Sequence, residues 1–215
     1  MKKANISLVI IIFIISLLLG CSSSLNNLDQ NKNLIKKYYE GGQYSREMKE
    51  IITRTIDDFK NMEVHRNSVV IFDVDDTAIS NYDFMKSMDF GNVTSEWNSY
   101  LNKGDAPVIH EVKNLYDFLL SRRIKIIFLT GRSYKYYKGT YKNLINTGYT
   151  NFDTLIVRSK DQTGLSAANY KSIERLVLSD LGYNIIGCIG DQGSDLEGGN
   201  TGIKIKLPNY LYSVE

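Results

Sequence analysis

Five short, largely apolar runs alternate with stretches of helical periodicity along most of this chain. Apolar runs of this length are typical of strands that are buried on both faces of a parallel sheet. They lie at residues 68–72, 124–129, 154–157, 185–189 and 203–207. The alternation predicts an α/β fold, a doubly wound parallel sheet whose ligands bind at the carboxyl ends of the strands.

Helical patterns precede and separate these runs, with apolar residues at intervals of three and four. The last pattern ends at Gly182, as expected of a helix that closes with a glycine. Residues 78–107 follow the first strand directly and carry no strand signal, so we expect a small helical cap over the strand ends. With this cap, the folded domain is expected to span residues 46–215. The helical patterns lie at residues 46–62, 108–122, 133–147 and 166–181.

Residues 1–20 have the features of a secretory signal peptide. Lys2 and Lys3 precede an apolar run over residues 6–19, which is too short to be a comfortable bilayer span. The run ends in the sequence LLGC, which resembles a bacterial lipobox and implies that Cys21 is acylated as the mature N-terminus. The alternative is an uncleaved N-terminal anchor. Both interpretations place the domain outside the cytoplasm on a membrane tether.

The segment after the apolar run is polar. Residues 22–33 show no apolar period, so residues 21–45 are interpreted as the lipidated cysteine and a flexible tether. The whole chain has 26 Lys and Arg residues against 24 Asp and Glu residues. Because Lys2 and Lys3 account for that excess, no basic region indicates a nucleic acid polymer as partner.

Cysteine and histidine are scarce in this chain. Cys21, Cys188, His65 and His110 are too few for a disulfide framework or for a zinc site built from a Cys/His cluster. Any metal site must therefore use oxygen ligands. Cys188 lies inside an apolar run, which predicts a buried free thiol.

Polar motifs follow three of the predicted strands at their carboxyl ends. The sequence DVDDT covers residues 73–77, TGR covers residues 130–132, and GDQGSD covers residues 190–195, while Lys171 lies on the predicted third crossover helix. Taken singly, each motif is a weak signal, because aspartate-rich turns are usually solvated and serve as helix N-caps. Together they fall where a doubly wound fold places its active site.

In this order the motifs resemble those of the haloacid dehalogenase (HAD) superfamily of aspartate-nucleophile phosphatases. Within it, the chain is similar to class C bacterial lipoprotein acid phosphatases and to plant acid phosphatases related to vegetative storage proteins. The likeness includes IIFLTGR ending at Arg132, GDQGSDL ending at Leu196 and KLPN at residues 206–209. It extends over most of the chain that follows the tether, and it implies an HAD-like fold and a phosphomonoesterase with an aspartyl-phosphate intermediate.

The resemblance implies a role for each aspartate. It makes Asp73 the nucleophile, and it makes Asp75 the acid that protonates the leaving oxygen and later accepts a proton from water. It also implies a metal ion held by Asp73, the backbone carbonyl of Asp75, and Asp191, with Asp195 as a direct or water-mediated ligand. Because converging carboxylates repel one another and oxygen ligands favour Mg²⁺, we expect Mg²⁺ as the cofactor.

Phosphate-binding residues are expected on the second strand and the third crossover helix. Thr130 and the backbone N–H of Gly131 lie just before a predicted helix N-terminus, which is a natural phosphate cradle. Lys171 would neutralise the phosphoryl oxygens. Lys160 is the competing candidate, but the segment around Lys171 matches that of the family. Arg132 is expected either to touch the substrate or to form a surface salt bridge.

Aromatic residues are concentrated in the predicted cap. Tyr82 and Trp97, with Phe84 and Tyr100, either form the core of the cap or clamp a nucleobase or aryl group of the substrate. The resemblance to class C acid phosphatases, which include nucleotidases, implies nucleoside monophosphates as candidate substrates.

The sequence as a whole predicts a membrane-tethered, Mg²⁺-dependent acid phosphatase that hydrolyses small phosphomonoesters outside the cytoplasm. The alternative is a surface lipoprotein of weak activity that keeps the fold for binding or storage. A binding protein does not require a nucleophile, an acid, a lysine and a metal-binding pair at one site, and this favours the enzyme. Neither the GxGxxG motif of dinucleotide folds nor a P-loop occurs in the sequence.

Overall fold

The computed structural model describes residues 27–91 and 93–214 of the 215-residue chain. The expected signal peptide at residues 1–20 and the expected lipidation site Cys21 lie outside these residues. Two compact units divide the chain, one ending at Leu34 and the other beginning at Ile35. Within the described ranges, no helix is both long enough and apolar enough to cross a membrane.

A five-stranded sheet forms the centre of the fold, with the strands in the order β3-β2-β1-β4-β5 and every neighbouring pair parallel. The order reverses at β1, so the gap between β1 and β4 is the point where such sheets bind ligands. The predicted doubly wound α/β fold is therefore confirmed. The strands are β1 (Ser68–Phe72), β2 (Lys125–Ser133), β3 (Thr154–Arg158), β4 (Asn184–Gly190) and β5 (Ile203–Lys206).

Helices flank the sheet and fill the predicted cap. Two of them, α3 and α4, lie inside residues 78–107, where the sequence predicts a small helical insert. In the described part of the chain, three short 3₁₀ helices cover Tyr134–Tyr136, Lys160–Gln162 and Gly193–Asp195. The α-helices of the described residues are α1 (Leu28–Glu40), α2 (Gln43–Lys60), α3 (Tyr82–Ser87), α4 (Thr94–Lys103), α5 (His110–Ser121), α6 (Tyr137–Asn146) and α7 (Ala167–Asp180).

The central strand is buried on both faces, which explains its uninterrupted apolar sequence. All five residues of β1 are buried. Val70 and Phe72 belong to one hydrophobic cluster with residues of α2 and α5, whereas Val69 and Ile71 belong to a second cluster with Tyr170 of α7. The sheet thus has a core on each face, as a parallel sheet requires.

The prediction of a flexible tether over residues 21–45 is wrong for much of residues 27–45, the part that the structure describes, because α1 occupies Leu28–Glu40. Helix α1 begins after Asn27, whose side chain accepts a hydrogen bond from the Gln30 N–H at 2.8 Å, while Gln30 Oε1 accepts one from the Asn27 N–H at 3.2 Å. This reciprocal capping starts a helix without an apolar pattern. Further along α1, Tyr38 is buried and packs edge-on against Tyr210, with ring centroids 4.8 Å apart. The tertiary packing of α1 through Tyr38 therefore lies beyond residues 22–33, the polar stretch from which the tether was inferred.

Candidate active site

The carboxyl ends of the strands bring the predicted motifs to one edge of the sheet. Asp73 directly follows β1, and its N–H donates to the Ile189 carbonyl of β4 at 2.9 Å. Thr130 lies in the last part of β2, Asp191 follows β4, and Lys171 reaches the same edge from α7. Asp73, Thr130, Lys171 and Asp191 all line one cavity of about 650 Å³.

Lys171 joins two of the predicted aspartates. Its Nζ donates hydrogen bonds to Asp73 Oδ1 and to Asp195 Oδ1, and all three side chains are buried. Burial alone would lower the pKa of Lys171, but the Asp73 and Asp195 carboxylates outweigh it and raise that pKa, so the lysine is a cation. Lys160, the competing candidate, is exposed on its 3₁₀ helix.

Asp73, Asp191 and Asp195 form a cluster suited to a metal ion. Each offers one carboxylate oxygen, and the three oxygens lie within 4.8 Å of one another. Burial, followed by the neighbouring Asp195 carboxylate, raises the pKa of Asp191. The pKa of Asp73 is also raised by burial and by the surrounding carboxylates, against the opposing effect of Lys171. Buried, like-charged oxygen donors fit a hard divalent cation, which would relieve their repulsion.

Asp191 is held in place by residues from three parts of the chain. Thr77 Oγ1 donates to Asp191 Oδ1 at 3.2 Å and accepts from the Asp191 N–H at 3.1 Å. The side-chain amides of Gln192 and Asn209 each donate to Asp191 Oδ2 at 2.6 Å. Asn209 belongs to the KLPN segment that carries part of the family resemblance, but sequence reasoning assigned it no role. These contacts orient the carboxylate relative to Asp73.

Asp195 is positioned by its own short helix and by the strand before it. Its Oδ2 accepts a hydrogen bond from the Gln192 N–H at 2.8 Å, and its carbonyl accepts one from Arg175 Nη1 at 3.1 Å. A Cβ on Gly190 would lie 2.1 Å from Asp195 Oδ2. Only glycine at the end of β4 therefore leaves room for this carboxylate.

Asp75 forms a buried ion pair with Arg132. Arg132 donates from Nε to Asp75 Oδ2 at 2.8 Å and from Nη2 to Asp75 Oδ1 at 2.6 Å, while Asn81 Nδ2 donates to the same Oδ1 at 2.8 Å. Burial raises the pKa of Asp75, but Arg132 and the hydrogen bonds outweigh it, and the net shift is downward. Arg132 was predicted to touch the substrate or to form a surface salt bridge. It does form a salt bridge, but the pair is not at the surface, because the Arg132 side chain is only 4% exposed.

Thr130 and Gly131 line the cavity, but the local structure differs from the prediction. Strand β2 continues to Ser133, which pairs with Arg158 of β3, so a helix does not follow Gly131 directly. Helix α6 begins only at Tyr137. A 3₁₀ helix starts directly after β2 at Tyr134, so the expected helical N-terminus lies three residues beyond Gly131 and not next to it, because strand pairing extends further than the apolar run.

Trp97 and Phe84 of the cap line the cavity together with Leu211 of the C-terminal segment. The Phe84 ring also stacks on Tyr100, with centroids 4.2 Å apart and planes inclined by 16°. The cap aromatics therefore form both a packed core and an apolar cavity wall.

Tyr82, which was predicted to bind substrate, is not brought together with the other predicted site residues. It is not among the described residues that line the cavity. Its ring stacks on Tyr39 of α1 at 4.6 Å, and its hydroxyl donates to Glu40 at 2.7 Å. The sequence interpretation gave residues 28–40 no helix, so it offered no partner for this ring.

Asp76, the third aspartate of the first motif, fixes the loop after β1. Its φ of 50° lies in the left-handed region, which aspartate tolerates better than most residues. Oδ1 accepts from the Asn81 N–H at 2.9 Å, and Oδ2 accepts from the Tyr212 hydroxyl at 2.7 Å. Tyr212 had no role in the sequence interpretation, and the contact ties the C-terminal segment to the motif that carries Asp73.

The sequence of this chain matches a family of known proteins and several individual relatives. Residues 22–215 match the family described as HAD superfamily, subfamily IIIB (acid phosphatase). The chain is 36% identical over 188 residues to a stem 28 kDa glycoprotein of Glycine max, covering 84% of this chain and 73% of the relative. It is 32% identical over 186 residues to acid phosphatase 1 of Solanum lycopersicum, with the same two coverages of 84% and 73%.

The chain is also similar to a vegetative storage protein in sequence and to a solved acid phosphatase structure in fold. Vegetative storage protein 1 of Arabidopsis thaliana is 36% identical over 151 residues, which cover 68% of this chain and 56% of the relative. The class C acid phosphatase from Bacillus anthracis superimposes with a TM-score of 0.70 at 16% identity over 86% of each chain, which supports the fold. On the family match and these identities, the chain belongs to the HAD superfamily, subfamily IIIB, the acid phosphatases.

Proposed function

We propose that this protein is a Mg²⁺-dependent phosphomonoesterase that acts through a phosphorylated Asp73. The observation that carries the proposal is one buried cluster in which Lys171 bridges Asp73 and Asp195 beside Asp191. A nucleophile, a cation and oxygen donors for a metal thus share the cavity that Thr130 lines. A protein that only stored or bound ligands would not need them together.

The chemistry assigns two steps to the aspartates. In the first, a carboxylate oxygen of Asp73 attacks phosphorus, the bond to the leaving oxygen breaks, and the protonated form of Asp75 supplies the proton that this oxygen takes up. Because Arg132 lowers the pKa of Asp75, this protonated form is the minor one before substrate binds. In the second, water attacks the phosphorus of phospho-Asp73, gives a proton to Asp75 and releases inorganic phosphate. Arg132 and Asn81 hold both oxygens of Asp75 in position between these steps.

Charge neutralisation is the remaining requirement of phosphoryl transfer. Lys171 places a buried ammonium group beside the Asp73 nucleophile. A divalent cation held by Asp73, Asp191 and Asp195, with the backbone carbonyl of Asp75 as the family resemblance implies, would supply further positive charge to the phosphoryl oxygens. The contacts of Thr77 keep Asp191 oriented for this purpose.

The apolar wall of the cavity supports a proposal for the leaving group. Trp97 and Phe84 line the same cavity as Asp73, so an aryl ring or nucleobase attached to the phosphate would meet aromatic side chains. Aryl phosphates and nucleoside monophosphates are accordingly the substrates that we propose to test first.

We also propose that the domain is held outside the cytoplasm by a lipid on Cys21, on the support of the LLGC sequence after the apolar run. Expression of the full chain in a bacterial host with labelled palmitate tests this. Label in the wild-type protein that is lost in Cys21→Ser is expected, whereas equal label in both variants would contradict the lipid anchor.

The test of the phosphatase proposal is steady-state phosphate release by the fragment that begins at Ser22. It uses p-nitrophenyl phosphate and nucleoside monophosphates, with Mg²⁺ or with EDTA. We expect turnover that depends on the metal and is abolished by Asp73→Asn. Asp57→Asn, at an exposed carboxylate on α2, is the matched control and should keep full activity. A folded, Mg²⁺-loaded protein without turnover would indicate a binding or storage role instead.

A further inference from the structure

Arg158 is a cation of the cavity wall to which neither the predicted motifs nor the steps above give a role. It is the last residue of β3, so it lies at the same edge of the sheet as the other strand ends. Its side chain lines the cavity that contains Asp73, Thr130 and Lys171. A cation at this edge is placed where an anionic ligand of such a sheet would lie.

Arg158 differs from the other cations of this cavity in having no carboxylate partner. Lys171 is paired with two aspartates, and Arg132 is paired with Asp75. Among the described residues that line the cavity, Arg158 is the one cation outside an ion pair. No described carboxylate therefore competes with an incoming anion for the charge of Arg158, whereas Lys171 and Arg132 already contact carboxylates.

The Arg158 guanidinium is also held in a fixed position. Nη1 donates to the Leu165 carbonyl at 2.8 Å, and the guanidinium carbon lies 4.9 Å from the centre of the Tyr170 ring. Nε is buried and has no hydrogen-bond partner among the described residues. These contacts hold the guanidinium plane in place and leave Nη2 without a protein acceptor in the described structure.

The free end of this guanidinium points toward the phosphate cradle. Nη2 lies 4.0 Å from the place that a Cβ on Gly131 would occupy. Gly131 is the residue between Thr130 and Arg132 whose N–H is expected to bind phosphate. Arginine presents several donors in a planar fork that matches phosphate oxygens.

We propose that Arg158 is a phosphate-binding residue that donates hydrogen bonds to the phosphoryl oxygens of the substrate and of the phosphate product. This rests on the proposed function, because it assigns Arg158 to the same site. The chemical class that it recognises is the phosphate dianion itself, so its effect should be shared by all phosphomonoester substrates whatever their leaving group.

The experiment measures the inhibition constant (Ki) of inorganic phosphate and the KM for p-nitrophenyl phosphate in the Mg²⁺-loaded full chain. Arg158→Met removes the charge and keeps most of the side-chain volume, while Arg158→Lys keeps the charge without the fork. Lys160→Met, an exposed cation two positions away, is the matched control. Hydrogen bonds to charged groups contribute about 1.5–3 kcal/mol. Arg158→Met should therefore raise the Ki of phosphate and the KM for p-nitrophenyl phosphate roughly 10- to 100-fold. Arg158→Lys should recover part of this loss, and Lys160→Met should change neither constant.

A second readout does not depend on turnover. Phosphate bound to the folded protein raises the thermal unfolding midpoint, and we expect this rise in the wild type and in Lys160→Met but not in Arg158→Met. Unchanged inhibition by phosphate and an equal midpoint rise in Arg158→Met would overturn the phosphate-binding role of Arg158. In that case, turnover of p-nitrophenyl phosphate by the wild type would still support the phosphatase proposal. A lower midpoint without phosphate, together with unchanged KM and inhibition, would also overturn it, by showing that Arg158 only supports the Leu165 loop.

Discussion

Arg132 and Asp75 are 57 positions apart in the sequence and form a two-point ion pair, with distances of 2.8 Å and 2.6 Å between the guanidinium nitrogens and the carboxylate oxygens. A third donor of the same guanidinium, Nη1, contacts Thr140 Oγ1 at 3.0 Å. The pair joins the loop after β1 to the end of β2. The acid of the proposed reaction is thus oriented by a residue of a neighbouring strand.

Removal of the arginine should therefore affect both stability and catalysis. Arg132→Met leaves a largely buried Asp75 carboxylate without its partner, and we expect the free energy of unfolding to fall by about 3 kcal/mol. We also expect kcat to fall, because Asp75 loses its orientation. Urea unfolding and steady-state kinetics measure the two effects.

Two further variants make this prediction specific. Arg132→Lys keeps the charge but not the fork, so it should restore part of the stability and less of the kcat. Arg66→Met, at an exposed arginine, should match the wild type in both measurements. Equal stability of Arg132→Met and Arg66→Met would show that the ion pair contributes nothing to the fold.

Metal removal should destabilise the protein as well as inactivate it. Lys171 offsets part of the repulsion among the buried Asp73, Asp191 and Asp195 carboxylates, and a bound divalent cation would offset more of it. We therefore expect Mg²⁺ to bind the folded state in preference to the unfolded one. At a Mg²⁺ concentration of about 100 times Kd, the gain in unfolding free energy is about 2.7 kcal/mol. Differential scanning calorimetry with Mg²⁺ and with EDTA measures it.

Asp191→Asn tests whether the stabilisation by Mg²⁺ comes from the cluster of Asp73, Asp191 and Asp195. It removes one donor charge and should reduce the Mg²⁺-induced rise in unfolding temperature, whereas Asp57→Asn on the surface of α2 should keep it. A rise of the same size in Asp191→Asn would place the stabilising metal ion elsewhere.

The sequence was sufficient to predict the meeting of Asp73, Thr130 and Asp191. Each follows or ends a buried strand, and the carboxyl ends of parallel strands share one edge of the sheet. The spacing of apolar residues along the sequence was therefore enough to predict the fold and the shared location of these three residues. Lys171 was placed by its helix and by the family resemblance, and its contact with Asp73 agrees with that placement.

Contacts between distant segments could not be predicted in the same way. The stacking of Tyr82 on Tyr39 depends on a helix whose start is set by the Asn27 cap rather than by an apolar pattern. The apolar run that predicted β3 ends at Val157, yet strand pairing includes Arg158 in β3. In both cases the deciding interaction lies outside the local window from which the sequence was interpreted.

Gly190 is expected to be essential for the position of Asp195. In Gly190→Ala the new Cβ would lie 2.1 Å from Asp195 Oδ2, so the carboxylate or the end of β4 must move. We expect a loss of about 1–3 kcal/mol in unfolding free energy and a strong fall in phosphatase activity, because Asp195 loses its contact with Lys171.

Gly164→Ala is the control for this prediction. A Cβ on Gly164 meets nothing within 4 Å, so this variant should keep its activity and lie within about 0.5 kcal/mol of the wild type in stability. Activity assays and urea unfolding of the two variants, measured side by side, check it. Full activity in Gly190→Ala would show that the position of Asp195 is not critical for turnover.

Cys188 provides a test of the core that is independent of activity. It is the one cysteine of the fragment that begins at Ser22, and the structure confirms that it is a buried free thiol. Burial raises its pKa from 9.0 to about 12. The folded protein should therefore not react with a thiol reagent at pH 8, and modification should proceed only as fast as the chain unfolds.

The same shift gives a pH dependence of defined sign. Because the folded state keeps the Cys188 proton to about pH 12 while the unfolded chain loses it near pH 9, the stabilisation is complete below pH 9 and falls as the pH rises toward 12. Cys188→Ala removes this contribution, so its unfolding free energy should fall less than that of the wild type between pH 8 and pH 10. Urea unfolding at the two pH values measures the difference, and parallel losses in both proteins would mean that the thiol titrates alike in the folded and unfolded states.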